Sequence, residues 1–195
     1  MSTQQQSAPV KTRHTASFTA SNPTVLDGDG AVHTLSEYWT ASDKGLALIF
    51  VRHFGCPFCK EHVATLIKRQ NEFTAAGVDI VVVGNGSAER AKAFAVQMKT
   101  PFPVVTDPSG EAYSAFRLKK AEKKSVFAPQ TLLAGVRAAS KGYFPKPVQG
   151  DPLQLQGQFL IDPHGVVWHA DRPLTMSDIP SPDALLQTAR DIWSS

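Results

Sequence analysis

Residues 46–62 read LALIFVRHFGCPFCKEH, and this stretch decides the fold that the rest of the chain completes. Its first part, residues 46–52, is a nearly continuous apolar run, which is typical of a central strand covered on both faces. The second part predicts the start of a helix, because Pro57 is tolerated in a first turn, where the backbone N–H has no partner within the helix. Cys56 and Cys59 therefore lie where a buried strand passes into a helix.

The pattern downstream predicts alternating strands and helices. Val63, Leu66, Ile67 and Phe73 form one apolar stripe of a helix over 57–76. The other predicted elements are two short extended pieces within 25–35, strands over 78–83 and 102–105, helices over 88–99, 111–118 and 131–141, a hairpin of 159–161 with 166–169, and a last helix opening at 181–183. Parallel crossovers followed by an antiparallel hairpin predict one mixed sheet with helices on both faces.

The composition is that of a single globular domain. Of 195 residues, 42% are hydrophobic and 19% are charged, which excludes a wholly disordered, collagenous or coiled-coil chain. The longest apolar run, residues 46–51, is much shorter than the roughly 18 residues that a membrane span needs, so we expect no membrane association. The net charge of +3 is concentrated in one patch and gives no general support to nucleic-acid binding.

The domain is predicted to cover residues 18–195. Residues 1–17 have few large apolar side chains, so we expect a disordered tail. The tail resembles neither a secretory signal nor an Arg-rich transit peptide, which leaves the cytoplasm as the expected location. Residues 117–146 form a basic insertion with eight cationic side chains and one acid. It is either a solvated face or a cover that attracts an anionic substrate or the acidic surface of a reductant.

The start of the predicted helix favours an ionised Cys56. The unpaired amides of the first turn and the positive end of the helix dipole stabilise a sulfur anion, and Arg52, His53 and Lys60 are candidate cationic neighbours. Such surroundings lower a thiol pKa from ~8.5 to roughly 3.5–7.5. Cys59 lies one helical turn further on, where it can form a disulfide with Cys56 without backbone rearrangement. The spacing predicts a nucleophile and a sheltered second thiol.

Two other interpretations of the cysteine pair stay open. His53, Cys56, Cys59 and His62 follow one another at three-residue steps and can be read as a zinc site. Against zinc, four ligands on one strand end and one helix hardly converge on a tetrahedron, and the chain has no further cysteine. Two inert buried cysteines are the other option, which the activating position at the junction disfavours.

Further residues around the motif carry a family resemblance. The run FVRHF at 50–54 leads into Cys-x-x-Cys-Lys-Glu at 56–61. Additional matches are Asp107-Pro108 with Tyr113, the stretch from Gln156 to Ile161, and His169-x-Asp171-Arg172. In these residues the chain resembles the peroxiredoxin-like 2 family, AhpC/TSA-type antioxidant proteins of the thioredoxin superfamily.

The resemblance implies a thioredoxin-like, peroxiredoxin-like three-layer α/β/α fold with a mixed central sheet over about residues 24–190. It also implies thiol-dependent reduction of peroxides, in which Cys56 attacks, Cys59 resolves the product as a disulfide, and thioredoxin or glutathione restores both thiols. No metal, flavin or haem cofactor is implied, and a homodimer is compatible with this interpretation. Reduction of a special substrate such as an endoperoxide, and a non-catalytic redox sensor, are the alternatives.

The candidate site residues fall into two groups. The catalytic group is Cys56, Cys59, Arg52 and His53, and the substrate-binding group is Phe54, Pro57, Gln156, Gly157 and Arg172. Arg52 either stabilises the thiolate and orients the peroxide or simply closes the strand end beside solvent. His53 either gives a proton to the leaving oxygen or is a hydrogen-bonded structural group. Arg172 either brings a cation to the site or forms a surface salt bridge.

Overall fold

The computed structural model describes residues 18–122, 133, 136–137, 139–142, 150–176 and 178–193. Within them one mixed sheet contains eight strands in the order β1-β8-β7-β4-β5-β6-β2-β3. The strands are β1 Phe18–Thr19, β2 Thr24–Leu26, β3 Val32–Thr34, β4 Gly45–Phe50, β5 Val78–Gly84, β6 Val104–Thr106, β7 Gly157–Ile161 and β8 Val166–Asp171.

Strand β4 lies at the centre of the sheet, as its apolar run predicts. All six of its residues are buried, and it pairs in parallel with β5 and antiparallel with β7. Strand β6 continues the parallel part next to β5, while β8 pairs antiparallel with β7. Because parallel strands end at the same edge of a sheet, the residues after β4 and β5 meet there, beside the start of β7.

Five helices in the described residues cover the two faces of the sheet. They are α1 Ser36–Thr40, α2 Pro57–Ala75, α3 Ala88–Met98, α4 Glu111–Ala115 and α5 Pro182–Trp193. Buried side chains of α2, α3 and α5 form one hydrophobic cluster with one face of β4 and β5. Those of α1 and α4 form a second cluster with the other face. The predicted three-layer α/β/α arrangement with a mixed sheet is confirmed.

The elements differ from the sequence predictions mainly in short pieces. Strand β1 and helix α1 were not predicted, because two and five residues are too few for a periodic pattern. The third parallel strand begins at Val104, later than the predicted 102, since the backbone of Pro103 has no N–H to donate to a ladder. Helix α4 ends at Ala115 rather than at 118, and Arg117 beyond it has a positive φ of 56°.

Some predictions lie outside the described residues. These are the disordered tail 1–17, most of the basic insertion 117–146, and five of the eleven residues of the helix predicted over 131–141. Among the described residues, none of the helices combines the length and the hydropathy that crossing a membrane requires.

Candidate active site

Cys56 is the N-cap residue of α2, as the Cys-Pro pair predicts. Its backbone is extended, with φ −73° and ψ 122°, and Pro57 follows in the first turn. The Cys56 amide donates to the carbonyl of His53 at 3.1 Å, which closes a tight turn between β4 and α2. This geometry directs the free amides of Phe58 and Cys59 at the Cys56 sulfur, where both donate hydrogen bonds.

Arg52 holds its guanidinium beside Cys56. Nη1 lies 3.8 Å from the Cys56 Sγ. Nε donates to the carbonyl of Gln154 at 3.3 Å and Nη2 donates to that of Pro152 at 2.8 Å. Because two carbonyls accept hydrogen bonds from the guanidinium, the position of its charge is fixed. The residue is buried, with 7% of its surface exposed.

The surroundings of Cys56 favour its thiolate. Burial raises its pKa, but the hydrogen bond from Cys59, the charge of Arg52 and the amides of Cys59 and Phe58 outweigh burial and lower the pKa to about 7. A substantial fraction of Cys56 is therefore ionised at neutral pH. The sulfur is nevertheless sheltered, since the residue is 1% exposed.

Cys59 has the opposite character. Its side chain is fully buried, and burial together with the neighbouring Cys56 raises its pKa well above the ordinary value. Its Sγ accepts the backbone N–H of Arg52 at 3.3 Å and lies 4.0 Å from Oε1 of Gln156, to which it donates. The two thiols are not bonded to each other in this structure. One helical turn therefore carries one sulfur that ionises readily and one that keeps its proton.

His53 is neutral at physiological pH, so the expectation that it adds a positive charge is wrong. Burial, then the charges of Arg52 and Lys60, lower its pKa to about 4. Its Nδ1 lies 3.2 Å from the amide of Gly55, which donates to it. An acceptor at Nδ1 puts the proton of the neutral ring on Nε2.

The loop between Arg52 and Cys56 is packed against the end of β5. The Phe54 ring lies 5.3 Å from the ring of Phe94, centroid to centroid. It also fills the space that a Cβ at Gly84 would occupy, so glycine is required where β5 ends. Pro57, half-buried at the helix start, borders the cysteine turn. Phe54 and Pro57 thus shape the turn that presents Cys56.

Gln156 and Gly157 lie at the same edge of the sheet. Gly157 pairs with Phe50 at the end of β4, and a Cβ on residue 157 would overlap the side chain of Leu118. The buried Gln156 directs its amide to Cys59 and to the carbonyl of Asp178, 3.0 Å from its Nε2. Gln156 is therefore in contact with the second thiol.

Arg172 lies away from the two thiols. Its Nε donates to the carbonyl of Phe116 at 2.9 Å, and its guanidinium lies 4.9 Å from the ring centre of Phe159. Phe116 and Phe159 belong to the cluster on the face of α1 and α4, whereas Cys59 belongs to the cluster on the face of α2. Arg172 directly follows β8. Among the described residues its side chain contacts groups on the face of α1 and α4, and it does not contact the two sulfurs.

Sequence reasoning missed the role of Tyr113. Its hydroxyl donates to the carbonyl of Val51 at 2.5 Å and lies 3.3 Å from that of Val83. Helix α4, which carries Tyr113, begins where the carboxylate of Asp107 accepts the amides of Gly110 and Ala112. The motif residues Asp107 and Tyr113 therefore hold the end of β4, directly before Arg52, from the other face of the sheet.

The basic insertion meets the helix that carries the thiols. Lys141 Nζ lies 2.5 Å from one carboxylate oxygen of Glu61, and Arg137 Nη2 lies 3.5 Å from the other. Glu61 lies just after the first turn of α2, and only 15% of its side chain is exposed. Two exposed cations of the insertion thus lie beside the helix that carries the thiols.

The histidines of the motif do not gather with the cysteines. In the part of the chain that the structure describes, no three His, Cys, Asp or Glu side chains are placed to share a metal ion. His53 points back to its own turn, while the fully buried His62 ring lies against the backbone of Pro180. The described residues therefore offer no donor set for the zinc site that the spacing allows.

Known proteins resemble this chain in sequence. The sequence profile of the AhpC/TSA family matches residues 13–170. The chain is 30% identical over 119 residues to the chloroplastic thioredoxin-like protein AAED1 of Arabidopsis thaliana, a match that spans 61% of this chain and about half, 47%, of that protein. It is 29% identical over 168 residues to peroxiredoxin-like 2C of Bos taurus, which covers 80% of this chain and 72% of the bovine protein.

Solved structures resemble it in fold. Peroxidoxin BcpB of Mycobacterium tuberculosis superposes with a TM-score of 0.64 at 18% identity, over 90% of this chain and 96% of that one. Reduced Prx3 of Vibrio vulnificus, in complex with H2O2, has a TM-score of 0.65 at 18% identity, over 88% and 96% of the two chains. These likenesses confirm the predicted peroxiredoxin-like fold. Because the family profile covers most of the chain, the chain belongs to the AhpC/TSA family.

Proposed function

We propose that the protein is a thiol peroxidase whose redox centre is the pair Cys56 and Cys59. The single observation that carries the proposal is the asymmetry of the two sulfurs. Cys56 has a pKa lowered to about 7, while the pKa of Cys59, three residues later, is raised well above its ordinary value. A peroxidase of this type needs one thiolate to attack and one protonated thiol held in reserve.

The proposed reaction consumes one peroxide and two thiols. The Cys56 thiolate attacks a peroxide oxygen, the O–O bond breaks, and the leaving alkoxide or hydroxide takes a proton to become an alcohol or water. Cys56 is then a sulfenic acid. Cys59 attacks its sulfur, and the sulfenic hydroxyl leaves with the Cys59 proton as water. The product is a Cys56–Cys59 disulfide, which two electrons from an external dithiol return to the thiols.

Arg52 and His53 supply the polar surroundings of the peroxide. The guanidinium of Arg52 is fixed 3.8 Å from the Cys56 sulfur, so it stabilises the thiolate and the charge that develops on the departing oxygen. His53 donates from Nε2 as a neutral ring, because its Nδ1 accepts the Gly55 amide and its pKa is about 4. We assign the binding of the peroxide's organic group to Phe54 and Pro57 of the cysteine turn and to Gly157, which pairs with Phe50 at the end of β4.

The reductant is proposed to be thioredoxin or glutathione. Both can reduce a disulfide through a thiolate, and a reducing cytoplasm supplies them. The Vibrio vulnificus neighbour is described in complex with H2O2, which supports hydrogen peroxide as the first substrate to test. A homodimer and a cytoplasmic location complete the proposal. Sedimentation and cell fractionation test these two points directly.

Intact mass after one equivalent of hydrogen peroxide tests the central step. We expect the wild type to lose about 2 Da as its disulfide forms, and Cys59→Ser to gain about 16 Da as a trapped sulfenic acid. Cys56→Ser is the matched control and should keep its mass. An unreactive wild type, or oxygen trapped on Cys59 in the Cys56→Ser variant, contradicts the proposed roles.

Turnover separates an enzyme from a sensor. With excess peroxide and a coupled thioredoxin system, an enzyme consumes many equivalents of peroxide per chain. A protein that is oxidised once and not recycled by thioredoxin or glutathione is a redox sensor, and the enzymatic proposal is then wrong.

A further inference from the structure

A short strap of residues, 178–181, lies against the buried face of the sheet at the start of β7, on the side of α2 and α5. Gln156 Nε2 donates to the carbonyl of Asp178 at 3.0 Å. Gln158 Nε2, two residues further along the strand, donates to that of Ser181 at 3.3 Å. The Pro180 carbonyl between them faces the buried ring of His62. Side chains of β7 and α2 therefore seat the strap.

Gln156 differs from Gln158 in one respect, because it also contacts a thiol. Its Oε1 accepts from the Cys59 Sγ, which lies 4.0 Å away, while its Nε2 holds the strap. Both glutamines are buried, at 3% and 1% exposed. A single amide thus links the redox centre to the strap, and a neighbour on the same strand holds the strap without that link.

The link depends on the proton of Cys59. In the reduced protein the single S–H of Cys59 donates to Oε1 of Gln156 when Cys56 is a thiol, and it donates to the Cys56 sulfur when Cys56 is ionised. In the disulfide of the proposed function, on which this inference rests, that proton has left in the water that the sulfenic acid releases. The buried Oε1 then has no donor from Cys59, and a buried acceptor without a donor is unfavourable. Turning the amide to regain a donor breaks the bond to Asp178.

We propose that Gln156 is a positioning residue that seats residues 178–181 only while the S–H of Cys59 donates to it, so that disulfide formation loosens the strap. A loosened strap uncovers the side of α2 on which Cys59 lies. A reductant thiolate that attacks the Cys59 sulfur forms a mixed disulfide there and expels Cys56 as a thiolate. Cys56 is the better leaving group of the two, since the leaving sulfur with the lower pKa departs faster.

Residue-resolved amide hydrogen exchange by NMR tests the proposal. The readout is the exchange rate at Asp178, Ile179 and Ser181 at about pH 5.5, where Cys56 is a thiol, in the reduced protein and in protein oxidised beforehand by diamide, with the disulfide verified by intact mass. We expect exchange to be about tenfold faster in the disulfide form, the effect of losing one buried hydrogen bond. Equal rates in the two forms, with the disulfide present, overturn the proposal.

Two variants form a matched pair. Gln156→Leu removes the hydrogen bonds to Cys59 and to Asp178. The strap amides should therefore exchange fast in both redox states, and the ratio of the oxidised to the reduced exchange rate should be near one. Gln158→Leu loosens the other end of the strap without touching Cys59, so the roughly tenfold ratio should persist. A Gln156→Leu protein that keeps the wild-type ratio contradicts the proposal.

Cys59→Ala keeps the test decisive if Gln156→Leu does not fold. It removes the S–H donor without forming a disulfide, so its strap should exchange as fast as that of the oxidised wild type, with or without diamide. A reduced Cys59→Ala strap that exchanges as slowly as the reduced wild type is a negative result. If diamide produces no disulfide in the wild type, the proposed function fails instead, and the mass measurement reports that failure separately.

Discussion

Replacing Arg52 with methionine tests the electrostatic basis of the site most directly. The guanidinium lies 3.8 Å from the Cys56 sulfur and is fixed there by the carbonyls of Pro152 and Gln154. Methionine fills a similar volume without the charge. We expect Arg52→Met to raise the pKa of Cys56 from its present value of about 7, because the charge of Arg52 is one of the causes that lower it.

The size of the effect follows from the distance. An opposite charge within about 4–6 Å shifts the pKa of an acid by about 1 to 3 units. The middle of that range reduces the thiolate fraction at neutral pH from about one half to about one hundredth, so oxidation by peroxide should slow about 50-fold at pH 7. At about pH 10 the thiolate predominates in both proteins, so the part of the difference that comes from ionisation should disappear and only the lost stabilisation of the departing oxygen should remain.

Stopped-flow oxidation measured from about pH 5 to pH 10 supplies the assay. The wild-type rate should rise with a midpoint near pH 7, and the variant should show the same rise at higher pH. Arg52→Lys, which keeps the charge but loses the planar fork, should lie between them. If Arg52→Met is slowed by the same factor at every pH, Arg52 acts only on the peroxide or on the fold, and the reasoning about the thiolate is refuted.

Three further predictions concern stability. The pKa of Cys56 is lowered in the folded state from 9.0 to about 7, so its thiolate stabilises the reduced fold above pH 9, and this contribution is lost as the pH falls through 7. The free energy of unfolding in urea should therefore increase by about 2 kcal/mol from pH 7 to pH 9 in the wild type and not in Cys56→Ser. Tyr113→Phe should lower the free energy of unfolding by about 1 to 2 kcal/mol, because the hydrogen bond to the Val51 carbonyl is lost. Tyr38→Phe, at a half-buried tyrosine, is the control and should change the free energy of unfolding little. Equal effects of the two variants contradict the proposed role of the Tyr113 hydroxyl. Gly84→Ala should lower the free energy of unfolding by about 1 to 3 kcal/mol, because the added Cβ overlaps the Phe54 ring. A second substitution, Phe54→Leu, should recover part of this stability in thermal unfolding. A Gly84→Ala protein as stable as the wild type contradicts the overlap.

The parts of the fold that could be predicted are those with a local pattern. The apolar run of β4 predicts a central strand, and the structure buries all of its residues. The stripe at Val63, Leu66 and Phe73 predicts the buried face of α2, and all three are fully buried. Short pieces such as β1 and α1 have no pattern of sufficient length, so only pairing with β8 and packing against the sheet define them.

The candidate site divides in the same way. Cys56 at the N-cap followed by Pro57 could be predicted, because capping chemistry is local to a few residues. The low pKa of His53 could not be predicted, because the burial and the neighbouring charges that lower it exist only in the folded protein. Gln154, Gln156 and Gln158 occupy every second position as the chain enters β7, and all three are buried; glutamine at alternate positions of an apolar stretch is a signal that could have marked a polar cluster.

The sequence by itself determined the order of the principal strands and helices and the placement of two sulfurs one turn apart at the start of a helix. Both follow from local rules of periodicity and capping. Only the tertiary structure decided which distant groups reach those sulfurs. The carbonyls of Pro152 and Gln154 anchor Arg52, and Gln156 meets Cys59, across about one hundred residues of chain. Such contacts depend on how β7 is inserted beside β4, and strand order is a property of the whole sheet that no local pattern contains.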